Sequence, residues 1–266
     1  MITKLTNKDK DKLLTYAAAE PEYNLFLIGD IENYGLDSEQ VSVFAKSEGE
    51  GGAWEMVALK YYEDFLVYSP DDAADILPMA EFIASMYAKG LNGKYSFVKR
   101  FADYFPRLTL RKTYLSRLNT VKKTFSLPEG FKARLLGQED MESYAEMLIQ
   151  IEEFSASNRG DIKAIKERSA AKIAHGDDIL AVFDGDKMVS SASTSGGNSV
   201  SAMVASVCTL EPYRGRGLAS CAVSRLCEYE LSRGKKFLCL FYDNPAAGRI
   251  YERVGFEIVG EYALML

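Results

Sequence analysis

Histidine is almost absent from this sequence: a single one, His175, stands among 266 residues. Any Ser-His-Asp or Cys-His mechanism would have to be built on it, and nothing in the surrounding "KIAHGDD" supports a nucleophile–base pair. Cysteine is scarce as well. Cys208, Cys221, Cys227 and Cys239 all fall in the last quarter, and their spacings match no zinc pattern. Buried, reduced thiols are expected, and no metal site. No apolar run approaches the roughly eighteen residues of a membrane span, and "MITKLTNKDKDK" lacks the apolar stretch of a signal peptide. A cytoplasmic protein without a membrane partner is the expectation. Positive charge is also in deficit. A net charge of −6 argues against a general nucleic-acid binder, whose footprint would be basic.

What is present is ample core material, with 47% apolar and 26% charged residues, enough for one large domain or two smaller ones. The C-terminal half has clear periodicity. "FKARLL" (131–136) alternates as a strand, and Met141, Tyr144, Met147, Leu148 and Ile151 recur at helical spacing. A more polar helix is expected over 161–174. "DILAVFDGDKMVSSAST" has the form of a hairpin turning at Asp184-Gly185. A strand over 199–210, a helix from Leu218 to about Gly234, the strand "KFLCLF", a short helix opened by Asn244-Pro245, and two closing strands, "FEIVG" and "YALML", follow.

The N-terminal half repeats this order more faintly. A strand in "MITKL" is followed by helices over 8–18 and 22–33 and by the strands "VSVFAK", "EMVALK" and "FLVYS". A helix over about 71–88 comes next, then "YSFV" in the place of the next strand, a short helix in "RFADYF", and the strand-like "RLTLRKTYLSRL". The chain therefore reads as two similar lobes, 1–125 and 126–266, each a mixed, mostly antiparallel sheet flanked by helices.

The stretch that carries chemistry is "EPYRGRGLAS", Glu211 to Ser220, between a strand and a helix. A Gly-rich turn there aims unpaired backbone N–H groups and the positive end of the helix dipole at one point, which suits a phosphate or pyrophosphate. Gly215 and Gly217 let a ligand approach the main chain, and Arg214 and Arg216 add charge. A P-loop needs G-x-x-x-x-G-K-S/T, which is missing. A dinucleotide fingerprint is nearly met by Gly215, Gly217 and Ser220, with Asp243 beyond the next strand. Only about fifty residues follow, however, too few for a nucleotide-binding half that begins there.

"Arg214-Gly-Arg-Gly217-Leu-Ala219" matches Arg/Gln-x-x-Gly-x-Gly/Ala, and "NPAAGRIYERVGF" matches N-x-x-A-x-x-x-Y-x-K/R-x-G-F, with Asn244, Ala247, Tyr251, Arg253, Gly255 and Phe256 in register. In these two motifs, and in the element order from 131 onward, the chain resembles the GNAT superfamily of acyl-CoA-dependent N-acyltransferases. With "EPEYNLFLIGDIENYGL" it further resembles a tandem-lobed subgroup. The resemblance implies acetyl-CoA as acyl donor and a small-molecule or peptide amine as acceptor, joined in a direct ternary complex. Val207 and Thr209 would meet the pantetheine arm through their backbone, Asn244 would touch it, and Arg214, Gly215, Arg216, Gly217, Leu218, Ala219 and Ser220 would hold the phosphates. Tyr251 would protonate the departing thiolate, a role open to a phenol that is neutral at pH 7. The acceptor side would be bordered by the loop 152–160 and by a last hairpin near Gly260-Glu261.

One departure stands out. The family's glutamate on the central strand has no counterpart between Ser199 and Leu210. No general base is assigned, although Glu152, Glu153 and Glu211 lie nearby in sequence. That gap keeps a second function open, a CoA-binding sensor without catalysis, and a nucleotide-dependent oxidoreductase is a more distant third. In the N-terminal lobe the corresponding turn, "YSPDDAAD", has no glycine and three aspartates that would repel a pyrophosphate. That lobe is expected to be degenerate.

Overall fold

A computed structural model describes residues 1–49, 51–154 and 161–266. In chain order the elements are β1 (Ile2–Lys4), α1 (Lys10–Ala17), α2 (Leu25–Tyr34), β2 (Val41–Ser47), β3 (Trp54–Tyr61), β4 (Asp64–Tyr68), α3 (Leu77–Ser85), β5 (Gly90–Lys94), α4 (Tyr95–Val98) and β6 (Leu110–Leu118). They continue with β7 (Phe131–Leu135), α5 (Met141–Leu148), α6 (Ile162–Ala174), β8 (Ile179–Asp184), β9 (Lys187–Ser195), β10 (Ser201–Thr209), α7 (Leu218–Ser232), β11 (Phe237–Tyr242), α8 (Pro245–Val254) and β12 (Glu257–Met265).

The chain divides into two compact units. The first is Met1–Ser116 with Phe241–Asp243 and Ile258–Leu266; the second is Arg117–Leu240 with Asn244–Glu257. A single cut at 125/126 does not describe this division, because the last strand packs in the first unit and residues 117–125 in the second.

In the first unit, β1 to β4 are antiparallel neighbours, β4 and β5 run parallel, and β5 pairs antiparallel with β12. Both faces of this sheet are covered. Met56 and Ala58 of β3 turn toward α3 and the Phe97–Phe101 pair, while Val57 and Leu59 turn toward α1 and α2. Burial on both faces explains why "EMVALK" is apolar nearly throughout rather than at every second residue.

The second unit orders its strands β11-β10-β9-β8-β7, antiparallel except for β10 with β11. Val182 and Val189 within this sheet and Ala222, Val223 and Leu226 of α7 are wholly buried. All four cysteines are free and buried. Burial pushes the Cys208 thiol up to about 11. His175 caps the end of α6, its ring nitrogen 2.7 Å from the Ala171 carbonyl.

Four sequence expectations need correction. "FEIVG" and "YALML" form one continuous strand, β12, so Gly260 and Glu261 lie within a strand and not in a hairpin. "YSFV" is helical, and the strand lies just before it, in the glycine-containing "GLNGK". The helix expected over 71–88 is confined to Leu77–Ser85, after a turn held by aspartates. The β8–β9 turn is Gly185-Asp186, one residue later than expected, since Asp184 still pairs with Lys187. Among the described residues, no helix is long and apolar enough to cross a membrane.

Candidate active site

The site begins where two parallel strands part. β10 and β11 pair at Ser201–Phe237, Ala202–Leu238 and Met203–Cys239, and the pairing ends there. On its other side β10 continues against β9 but slips register between Ala205 and Cys208, with Ser206 in the left-handed region at φ 49°. This is a β-bulge, a device that bends a strand away from its neighbour. Past the bulge, the Leu210 N–H donates to the Val189 carbonyl at 2.9 Å. Alternation along an antiparallel strand then points the Thr209 peptide groups away from β9, toward the opening. The Thr209 carbonyl accepts there from Arg214 Nε at 3.1 Å, and its hydroxyl lies 2.8 Å from that of Ser190. Val207 is half-buried inside the bulge.

The turn after β10 is open. Gly215 and Gly217 have φ of 79° and 80°, and a Cβ built on either would find nothing within 4 Å. Gly217 is the N-cap of α7 and offers no side chain, and the helical ladder starts with the Cys221 N–H on the Gly217 carbonyl. The amides of Leu218, Ala219 and Ser220 therefore have no acceptor within the helix. The arginines behave differently from one another. Arg214 folds back to the Thr209 carbonyl and to Glu153, 2.9 Å away. Arg216 lies over the Tyr213 ring, 5.3 Å from its centroid. A third cation, which the sequence reading left without a role, reaches the same helix start: Arg253 Nη2 donates to the buried Ser220 hydroxyl at 3.2 Å.

In α8, Asn244 is the N-cap, its Oδ1 accepting from the Ala246 N–H at 2.8 Å, with Pro245 at the first helical position. Tyr251 is buried, its ring edge-on to Phe256 with centroids 6.1 Å apart. Asp243, the acid of the dinucleotide alternative, is ion-paired to Arg111 at 2.7 Å.

Beside the bulge lies a cavity of about 330 Å³ between the sheet and the helices α5 and α6. Ser206, Ser193 and Tyr144 are among the residues that line it. Desolvation pushes the Tyr144 phenol up, against hydrogen bonds to Ser191, Ser206 and Ser193. No lining residue is a carboxylate among those described. Glu153, close to the end of α5, is held below the usual carboxylate range by a backbone N–H and by Arg214, so it is a poor proton acceptor. The acceptor-side loop 152–160 lies outside the described residues from 155 to 160. No group of three or more potential metal ligands gathers among the described residues.

The counterpart turn of the first unit follows β4 and has the opposite polarity. Asp71 and Asp75 accept from the N–H groups of Ala73 and Leu77 at 2.8 and 3.1 Å, so carboxylates occupy amides that a phosphate would need. Lys94 pairs with Glu20 at 2.9 Å and with Asp72 at 3.4 Å.

The family model described as GNAT acetyltransferase matches residues 179–265. No curated protein matches the chain. Among solved structures, a Drosophila protein is similar at 15% identity and a TM-score of 0.72, covering 100% of this chain and 98% of its own. A tandem GNAT protein from the clavulanic acid biosynthesis pathway is similar at 13% identity and a TM-score of 0.63, with 100% and 97% covered. A GCN5-related N-acetyltransferase-like protein from Streptococcus suis is similar at 14% identity and a TM-score of 0.61, with 98% and 99% covered. At these identities the likeness is one of fold.

Proposed function

Starting from a chain with the tandem GNAT fold, whose residues 179–265 match the GNAT acetyltransferase family, we propose that it transfers an acetyl or other short acyl group from acyl-CoA to an amine. Family and fold support acyl transfer in general. The observation that carries the finer reading is the meeting of two features at the end of β10: a strand that parts from its parallel neighbour, and an uncapped helix start behind two positive-φ glycines.

Acyl-CoA supplies a thioester, already activated toward an amine. The amides of residues 215–220, with Arg216 and Arg253, are the donors and charges for its phosphates. Thr209 and Val207 offer backbone groups along the opening for the pantetheine arm. Asn244 caps α8 and so fixes where Tyr251 stands. The amine nitrogen attacks the thioester carbonyl and the C–S bond breaks. Tyr251 donates its proton to the leaving thiolate, while the proton shed by the nitrogen passes to water, from which Tyr251 is reprotonated. Rate then comes from orientation of the amine and from donors set where charge develops.

The missing carboxylate favours a second reading, a CoA-binding protein without turnover. Binding and release separate the two. Acetyl-CoA should bind at one site per chain and raise thermal stability, since a ligand of the folded state shifts unfolding by mass action. Gly217→Glu should abolish that shift, and an unchanged shift would refute the site. Acetyl-CoA binding with no CoA release across an amine panel would favour the sensor.

A further inference from the structure

We infer that the segment before β7 belongs to the donor site: Lys123, with Arg225 and Arg253, holds the 3′-phosphate of coenzyme A, so that the protein selects CoA esters over their 3′-dephospho counterparts. The inference rests on the acyl-CoA reading of the glycine turn. Its argument comes from where unpaired positive charge collects in the second unit.

Residues 117–125 pack in the second unit, although they precede its first strand and lie outside the residues 179–265 that match the family. Two hydrogen bonds tie Phe125 to α7. Its N–H donates to the Ser224 hydroxyl at 3.2 Å, and its carbonyl accepts from the Cys221 thiol at 2.8 Å. Cys221 is also hydrogen-bonded to Arg225, which puts that guanidinium beside the same stretch. The Phe125 side chain gathers two more cations. Lys123 Nζ lies 5.1 Å and the Arg253 guanidinium 5.4 Å from the centroid of its ring. Arg253 donates in turn to Ser220 in the first turn of α7, so the cluster adjoins the amides proposed for the pyrophosphate.

This gathering runs against the composition. Acids outnumber bases by 38 to 32, and neighbouring cations are matched, Lys122 with Glu257 at 2.6 Å and Arg214 with Glu153 at 2.9 Å. Lys123, Arg225 and Arg253 have no ion pair among the described residues. Glu228, the first acid of α7, is exposed and accepts from the Thr124 hydroxyl. Glu252 precedes Arg253 in α8, and adjacent helical residues do not face each other. Contact with one aromatic ring offsets only part of the mutual repulsion of the three cations, and an anion among them removes it. CoA carries such an anion, one ribose away from its pyrophosphate. The 3′-phosphate is a monoester with a charge of about −1.5 to −2 at pH 7. Backbone amides suit the pyrophosphate, while a near-dianion is best met by guanidinium and ammonium groups. Arg216 and Lys187 are the other cations near the turn. They lie 5.3 and 5.4 Å from the Tyr213 ring, whose hydroxyl donates to Asp184 at 3.0 Å, so a carboxylate already shares their ring.

Calorimetry on the full-length protein with acetyl-CoA and acetyl-3′-dephospho-CoA tests this. The unaltered protein should bind acetyl-CoA about tenfold or more tightly, the scale of charge-assisted contacts to one phosphate. Lys123→Ala with Arg225→Ala should reduce that preference to about threefold or less and leave affinity for the dephospho ester within about twofold. Lys123→Arg should keep the preference, as should Lys187→Ala at the other cluster. A retained unfolding midpoint shows that each variant is folded. Should the double variant unfold, Lys123→Ala alone decides, since Lys123 is exposed and an unchanged preference there would overturn the inference. Equal affinity of the unaltered protein for both esters, a preference that survives the double substitution, or a parallel loss of both esters would also overturn it. So would a preference that depends on Lys187 instead. If neither ester bound the unaltered protein, the donor site itself would fail, a result distinct from equal binding of both.

Discussion

Tyr251 illustrates how one side chain can satisfy two demands. It is buried against Phe256, which gives it a packing role, and under the proposed function it is the proton donor to the departing thiolate. Tyr251→Phe preserves the ring and removes only the hydroxyl. Turnover should fall by about ten- to a thousandfold while acetyl-CoA affinity stays nearly constant, the pattern of a lost proton donor; a variant with full turnover would return Tyr251 to packing alone. Asp30 on α2 makes a different demand. Desolvation raises its carboxyl to about 7, well above the ordinary aspartate value. Between about pH 4 and 7 the folded protein therefore keeps a proton that the unfolded chain has released, and stability falls as pH rises through that window. Glu230, raised to about 7 chiefly by burial, acts in the same direction. Asp30→Asn should remove its own share, stabilising the protein above pH 7 by up to roughly 4 kcal/mol and changing little near pH 4. Urea unfolding at the two pH values measures this, and an unaltered pH slope would mean that Asp30 is not the group responsible.

Elements were legible where their signals are local. Asn244-Pro245 and Gly255 mark α8 because caps and stops depend on a few neighbouring residues, and Gly215 and Gly217 mark the turn into α7 for the same reason. β5 was not legible, because its residues are chosen by what they touch. Gly93 has φ 147°, and a Cβ there would lie 2.4 Å from the Val67 carbonyl of the parallel strand β4; at Gly90 a Cβ would lie 2.5 Å from Asp64. A strand that must approach its neighbour so closely loses the β-branched residues that announce strands. The bulge was hidden for a related reason: Ser206 is placed by the register slip against β9 and by its hydrogen bond with Tyr144, both set by residues remote in sequence. Gly93→Val should consequently destabilise the protein by about 2–4 kcal/mol, the sum of overpacking and a strained backbone. Denaturant midpoints measure it, and a loss below about 1 kcal/mol would show that β4 and β5 can separate cheaply.

At the scale of the whole molecule, the order of residues and the order of packing differ. The first unit is assembled from three stretches of chain, and its last stretch, Ile258–Leu266, contributes Tyr262, Ala263 and Met265, each almost wholly buried. Ala263 and Met265 join the same core as Phe65, Leu91, Phe97 and Phe101. β12 also supplies the antiparallel partner of β5, from Tyr262 opposite Lys94 to Met265 opposite Leu91. Without it β5 would present an unpaired edge next to an opened core. Deleting residues 258–266 leaves the glycine turn and α7 intact in sequence, yet removes the strand on which the first unit closes. Hydrogen exchange on the truncated protein should therefore show protection lost first in β5, α4 and α3, with α7 still protected. The opposite order, α7 exchanging before β5, would mean that the C-terminal strand stabilises the second unit instead.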